Sequence, residues 1–255
     1  MKKLIAANWK MNKTIAESVS FIKEFKKLVE NVEGVEVVVC PAFTALEPVS
    51  KELKKLNVKL GAQNMHFEDS GAYTGDISPL MLKDLGCEFV ILGHSERREF
   101  FKEDDLLINK KVSSAIRHRL KPILCLGETL EQRNSNKTRE VIDRQLRNCL
   151  LDIKPEQMKN VDIAYEPVWA ISRGNSNVKA ASPNDVKESH QFIREVLENM
   201  FGRKTANNIR ILYGGSIKPE NAKELFSMPD VNGGLVGNAS LSAKSFAEII
   251  KAVKS

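Results

Sequence analysis

Cysteine is sparse and scattered in this chain. Four are present, Cys40, Cys87, Cys125 and Cys149, with no Cys-x-x-Cys pair among them. Neither a disulfide framework nor a zinc site is therefore indicated, and a reducing compartment fits. Long apolar runs are missing too: Leu4-Ile5-Ala6-Ala7 follows a basic start, but Asn8 and Lys10 end it far short of a signal peptide's apolar core. Export and membrane attachment are not expected. The net charge is +6, yet no aromatic platform is interleaved with the basic residues, and Lys51, Lys54 and Lys55 alternate with glutamates on helix faces. That pattern describes a solvated surface that helps anions approach, and nucleic-acid binding is not expected. Gly214-Gly215 lacks the Gly-x-Gly-x-x-Gly spacing of a dinucleotide site. Without a linker, low-complexity tract or break in composition, residues 1–255 are expected to form a single domain.

What is present is a repeating pattern. Apolar segments suited to strands fall at Leu4–Asn8, Val35–Cys40, Lys59–Ala62, Phe89–Leu92, Lys121–Leu126, Asp162–Tyr165, Ile209–Tyr213 and Leu235-Val236. Each precedes an amphipathic stretch: Ser18–Glu30, Leu46–Leu56, Ser78–Leu85, Asp104–His118, Glu140–Leu150, Pro183–Met200, Pro219–Phe226 and Ala243–Val253. Strands apolar throughout, alternating with helices, imply a parallel sheet covered by helices. Eight such units in 255 residues predict an α/β fold of the (β/α)8 TIM-barrel class. Arg133–Lys137, the most polar piece, reads as a surface loop.

In a barrel of this kind, function gathers at the C-terminal ends of the strands. The sixth strand delivers Glu166 and is stopped by Pro167, after which Ser172-Arg173-Gly174-Asn175-Ser176-Asn177 reads as a polar lid before Ser182-Pro183 opens a helix. The first strand ends with Asn8 and Lys10. The fourth ends in Gly93-His94-Ser95-Glu96, where a histidine at a helix start is biased towards its neutral form. Tyr213-Gly214-Gly215-Ser216 and Val236-Gly237-Asn238-Ala239-Ser240 open glycine-lined backbone amides at adjacent strand ends, a phosphate cradle. A base, a neutral acid, a cation and a phosphate site suit proton abstraction beside the carbonyl of a small phosphorylated sugar, through an enediolate and with no cofactor or metal. Rival readings are a non-catalytic phosphate- or nucleic-acid-binding barrel, and an isomerase of a larger phosphorylated sugar, which the short loops would not cover.

With these segments, and with Ala7-Asn8-Trp9-Lys10-Met11-Asn12, Gly61-Ala62-Gln63-Asn64 and Gly71-Ala72-Tyr73-Thr74-Gly75, the chain resembles the triosephosphate isomerase family over nearly its whole length. The resemblance implies that Glu166 takes the carbon-bound proton, His94 polarises the carbonyl, and Lys10 with Asn8 stabilises the oxyanion, while Glu96 supports Lys10 and His94. It implies that Ile171 and Leu235 dehydrate Glu166, that Glu128 accepts from the Trp169 indole, and that Cys125 is packing. Phosphate would be held by Ser172, Gly174, Ser216, Gly237 and Asn238. The lid would hinge at Pro167–Trp169 and Lys179–Ala181 and be held by Tyr213 and Ser216. A cytoplasmic glycolytic and gluconeogenic homodimer is also implied. Its loop tip, Thr74, Gly75 and Asp76, would dock on the partner subunit, with Thr74 approaching Asn8 and Glu96 of the partner subunit, Asp76 pairing with Arg97 across the interface and Met11 beneath the loop.

The chain departs from the family pattern in its lid, where Ser172-Arg173-Gly174 replaces Gly-Thr-Gly and Asn175–Val178 is extra. Asn238 stands where a second glycine is usual, and Asp76 where Glu is usual. Asn238 is expected to need the left-handed conformation, which Asn tolerates better than most residues.

Overall fold

The computed structural model describes residues 1–30, 32–54, 56–171 and 181–253. The elements alternate in order, beginning with β1 (Lys3–Asn8), α1 (Ile15–Val29), β2 (Val35–Cys40), α2 (Leu46–Leu53), β3 (Lys59–Ala62) and α3 (Pro79–Asp84). Next come β4 (Phe89–Leu92), α4 (Ser95–Phe100), α5 (Asp105–Arg117), β5 (Lys121–Leu126), α6 (Leu130–Asn134) and α7 (Thr138–Cys149). The chain closes with β6 (Asp162–Tyr165), α8 (Pro183–Phe201), α9 (Arg203–Ala206), β7 (Ile211–Tyr213), α10 (Pro219–Ser227), β8 (Gly233–Val236) and α11 (Ala243–Lys251). Each strand pairs in parallel with the next, and β1 pairs with β8 from Leu4↔Gly233 to Ala7↔Val236, so the sheet closes as the predicted barrel.

Alternation along the strands builds two cores. Leu4, Ala6, Val38, Cys40, Phe89, Ile91, Ile123, Cys125, Ala164, Leu212 and Leu235 fill the barrel. Their neighbours Ile5, Ala7, Val37, Val39, Val90 and Leu124 face outward and pack with the helices. Cys125 is thus packing, as expected. All four thiols are buried and unpaired.

Some boundaries differ from expectation. Helix α1 starts three residues earlier than Ser18, because Thr14 and Glu17 form a reciprocal capping box. The polar Arg133–Lys137 stretch is not simply loop: α6 runs through Asn134 behind a second such box, Thr129 with Gln132. Strand β7 begins at Ile211 rather than Ile209; Arg210 instead turns its guanidinium to Asp162 and Glu36.

Behind β6 and β7, His190 on α8 is wholly buried, set against Tyr165 and Tyr213 at ring-centroid distances of 6.0 and 6.4 Å. Burial lowers its pKa to about 4, and the bond of Nδ1 to the Asp230 carbonyl only partly opposes this. The unfolded chain takes up this proton near the ordinary value of about 6.5, the folded chain only near 4, so acid favours unfolding. Stability contributed by neutral His190 is complete above pH 6.5 and is expected to fall by about 3 kcal/mol as the pH drops to 4. Urea unfolding at pH 7 and 4.5 checks this: His190→Gln should flatten the difference by about 2–3 kcal/mol, and an unchanged slope would exclude His190 as its source.

Candidate active site

A cavity of about 490 Å³ opens at the C-terminal end of the barrel, and Asn8, Lys10, His94, Glu166 and Ile171 line it. Gly214, Gly215, Ser216, Leu235, Gly237 and Asn238 line it too. The side chains converge because they come from the ends of β1, β4, β6, β7 and β8.

Glu166 follows β6 directly. Its amide donates to the Leu126 carbonyl at 2.7 Å, and the Gly214 amide donates to the Tyr165 carbonyl at 2.7 Å, so the backbone is held from both neighbouring strands. Gly127 leaves room for this turn, since a Cβ there would lie 1.9 Å from the Glu166 carbonyl oxygen. The carboxylate is 2% exposed. Oε1 lies 2.9 Å from His94 Nε2, and Oε2 accepts the Ser95 amide at 3.0 Å. Burial pushes the Glu166 pKa up, but His94, the Ser95 N–H and Lys10 outweigh it and hold the group below the usual carboxylate value.

His94 caps α4, and its Nδ1 accepts the Glu96 amide at 3.3 Å. An acceptor at Nδ1 puts the proton of a neutral imidazole on Nε2, the nitrogen that faces Glu166. Lys10 Nζ lies 2.6 Å from Glu96 Oε1, and Glu96 Oε2 is 3.6 Å from His94 Nδ1. Glu96 thus stands between cation and imidazole. Lys10 has a left-handed backbone, φ 52°, a conformation that costs a non-glycine residue about 1–3 kcal/mol and persists only where its surroundings impose it. Here its amide donates to Asn8 Oδ1 at 3.0 Å, and its carbonyl accepts Gln63 Nε2 at 2.9 Å. Asn8 therefore fixes the backbone of Lys10 as well as lining the cavity.

The other expected residues fall into groups. Trp169 Nε1 donates to Glu128 Oε1 at 2.8 Å, and Glu128 also accepts the Tyr165 hydroxyl at 3.1–3.2 Å. Pro167 precedes a short helical turn, Val168–Ala170, and Trp169 stands in the middle of it. Tyr213 is buried at the end of β7. Ser172, Gly174, Asn175–Val178 and the Lys179 side of the second hinge lie outside the described residues. Asn238 opens a short helical turn and has no positive φ, so the left-handed conformation anticipated for it is not used. Thr74, Gly75 and Asp76 form an exposed tip, and Met11 is 96% exposed. Arg97 is engaged within its own chain, with Nε 2.5 Å from the buried Glu103.

Sequence reasoning passed over several supports. Arg98 donates to the Gly93 and Cys125 carbonyls at 2.8 and 3.2 Å and to Asp105 at 2.5 Å, clamping the turn that carries His94 to the end of β5. Gln63 steadies Lys10, and Gln145 receives the Gly127 amide at 2.8 Å. Lys218, Glu220 and Ser245 also line the cavity.

Known proteins match this chain throughout. Residues 3–253 fit the family described as "Triosephosphate isomerase". A triosephosphate isomerase of Carboxydothermus hydrogenoformans is 52% identical over 250 residues, 98% of either chain, and one of Chloroherpeton thalassium is 50% identical over 254 residues, 99% of either. Among solved structures, triosephosphate isomerase from Bartonella henselae superposes with a TM-score of 0.89 at 43% identity, covering both chains completely.

Proposed function

Because the chain belongs to the triosephosphate isomerase family, we propose that Glu166, His94 and Lys10 divide between them the interconversion of dihydroxyacetone phosphate and glyceraldehyde 3-phosphate. Glu166 takes a proton from the carbon beside the carbonyl. The C–H electrons then form the enediolate double bond, and His94 Nε2–H donates to the oxygen that gains charge. The Lys10 ammonium offsets that charge. The 2.9 Å approach of Glu166 Oε1 to His94 Nε2 carries the reading, because it joins a base to the nitrogen that bears a proton. Substrate has to enter between these two groups, exchanging their mutual bond for one to its carbon-bound proton and one to its carbonyl.

Ser216, Gly237 and Asn238, which line the same cavity, are assigned to the phosphate together with Ser172 and Gly174. Ile171 and Leu235 are assigned as the apolar neighbours that dehydrate Glu166. Residues 1–255 act as one domain, in the cytoplasm, where unpaired buried thiols are at home. A coupled assay with dihydroxyacetone phosphate, with no added metal or cofactor, tests the assignment. Turnover is expected, and activity only on a larger phosphorylated sugar would overturn it.

The active form is assigned as a homodimer. Tyr73, 44% exposed, and Met11, 96% exposed, stand on the protruding 63–77 loop and beside its root, apolar groups that a second copy would cover. Asp76 remains available at the tip for an interchain pair, and Arg97 keeps guanidinium donors beyond the one given to Glu103. Sedimentation is expected to give a dimer, and Met11→Asp a shift to monomer with lower activity. A fully active monomer at nanomolar concentration would rule it out.

A further inference from the structure

Arg133 on α6 lies outside the catalytic cavity, yet its contacts lead to the chain segment that carries the base. Its guanidinium carbon sits 4.0 Å from the centroid of the Trp169 ring. Nη2 donates to Asp185 Oδ1 at 2.7 Å, and Nη1 stands 3.9 Å from Glu128 Oε1. Glu128 is fully buried. A buried carboxylate is costly unless a cation and hydrogen-bond donors compensate it. Its donors are the Tyr165 hydroxyl and the Trp169 indole, and its backbone carbonyl accepts the Val168 amide at 3.1 Å. Tyr165 and Trp169 flank Glu166 on either side in the chain. Among the described residues, Arg133 is the cation that pairs with Glu128.

Asp185 holds Arg133 in turn. Its other carboxylate oxygen accepts the Ser182 amide and hydroxyl at 3.0 and 2.7 Å at the start of α8, so the guanidinium is anchored to a long helix. Stacking on an indole while pairing with two carboxylates suits a planar guanidinium, and an ammonium cannot reproduce the full set.

We propose that Arg133 is a positioning residue for the catalytic base: by charge-balancing Glu128 and stacking on Trp169, it fixes the Tyr165–Trp169 segment and hence the place of the Glu166 carboxylate. The proposal rests on the isomerase reading. A misplacement of about 1 Å costs on the order of a hundredfold in turnover, and Arg133 acts at one remove.

Arg133→Ala is therefore expected to lower kcat by about tenfold or more, with KM for dihydroxyacetone phosphate within about threefold of wild type. Arg133→Lys should recover part of the loss by restoring charge. Because the two groups act as a pair, Glu128→Gln in the Arg133→Ala background should add little, so the double variant loses less than the product of the single losses. Tryptophan emission gives a readout independent of turnover. The chain has 2 Trp, and Trp9 is buried and distant in sequence from this cluster, so Arg133→Ala should shift the Trp169 signal. With an active wild type, a kcat within twofold, a loss confined to thermal stability, or strictly multiplicative losses would overturn the proposal. An inactive wild type would overturn the isomerase reading, and an emission spectrum unmoved by Arg133→Ala would still count separately against the positioning role.

Discussion

Replacing Glu166 by Gln is expected to lower kcat by about 10²–10⁴ while the barrel stays folded. An amide cannot accept a proton from carbon, which is reason enough, but the geometry adds a second loss. The substituted side chain would satisfy the Ser95 amide, 3.0 Å from the present Oε2, with its carbonyl oxygen. Its NH2 group would then face His94 Nε2, 2.9 Å from the present Oε1, donor against donor. Relieving that clash moves the imidazole proton to Nδ1, where the Glu96 amide at 3.3 Å is itself a donor. The variant thus removes the proton acceptor and disfavours the tautomer needed at the carbonyl. Steady-state assays with a thermal melt on the same sample check it, and a kcat within tenfold of wild type would refute the assignment of the base.

Lys10→Met is expected to lower kcat/KM by about 10²–10³, the usual cost of removing one preorganised group that stabilises developing negative charge. Methionine keeps the apolar stem, so packing changes little, and the bonds that hold the backbone at φ 52° do not involve the ammonium. What disappears is the charge 2.6 Å from Glu96. Glu96, 3.6 Å from His94 Nδ1, then loses the cation that holds it in place beside the imidazole. Lys10→Arg, which retains charge with a different shape, should fall between. Wild-type-like kcat/KM in the methionine variant would show that the ammonium does not act on the reacting oxygens.

The sequence made the strand ends legible because a buried parallel strand is a continuous apolar run, and the polar residue that ends it stands out. Asn8, His94, Glu166 and Ser216 are visible for that reason. Strand β8 was harder: Gly233 and Gly234 weaken its apolar signal, yet a Cβ on Gly233 would sit 1.8 Å from the Leu4 carbonyl oxygen, so the closing pair of strands demands glycine there. The α1 and α6 starts were readable as Thr14…Glu17 and Thr129…Gln132, but the first residues of α1 precede its buried stripe and α6 buries none, so periodicity did not mark them. Gln63, directly after β3, stands out in the same way, but Arg98, Gln145 and Arg133 left no comparable trace. They act through side-chain bonds to backbone or charge contributed from distant parts of the chain, and no spacing along the sequence encodes such a meeting.

The pairing of Leu4 with Gly233 also bears on how the molecule comes into being. During synthesis the strand that completes the ring, starting at Gly233, is made more than 220 residues after β1, which ends at Asn8. At about 5–20 residues per second the wait is on the order of tens of seconds. Throughout it the nascent sheet presents open edges at β1 and at its growing end, bare N–H and C=O rows that invite pairing with other chains. Shielding of that unfinished seam, by the ribosome's surroundings or by a chaperone, is thus set by topology and falls due before any catalysis is possible.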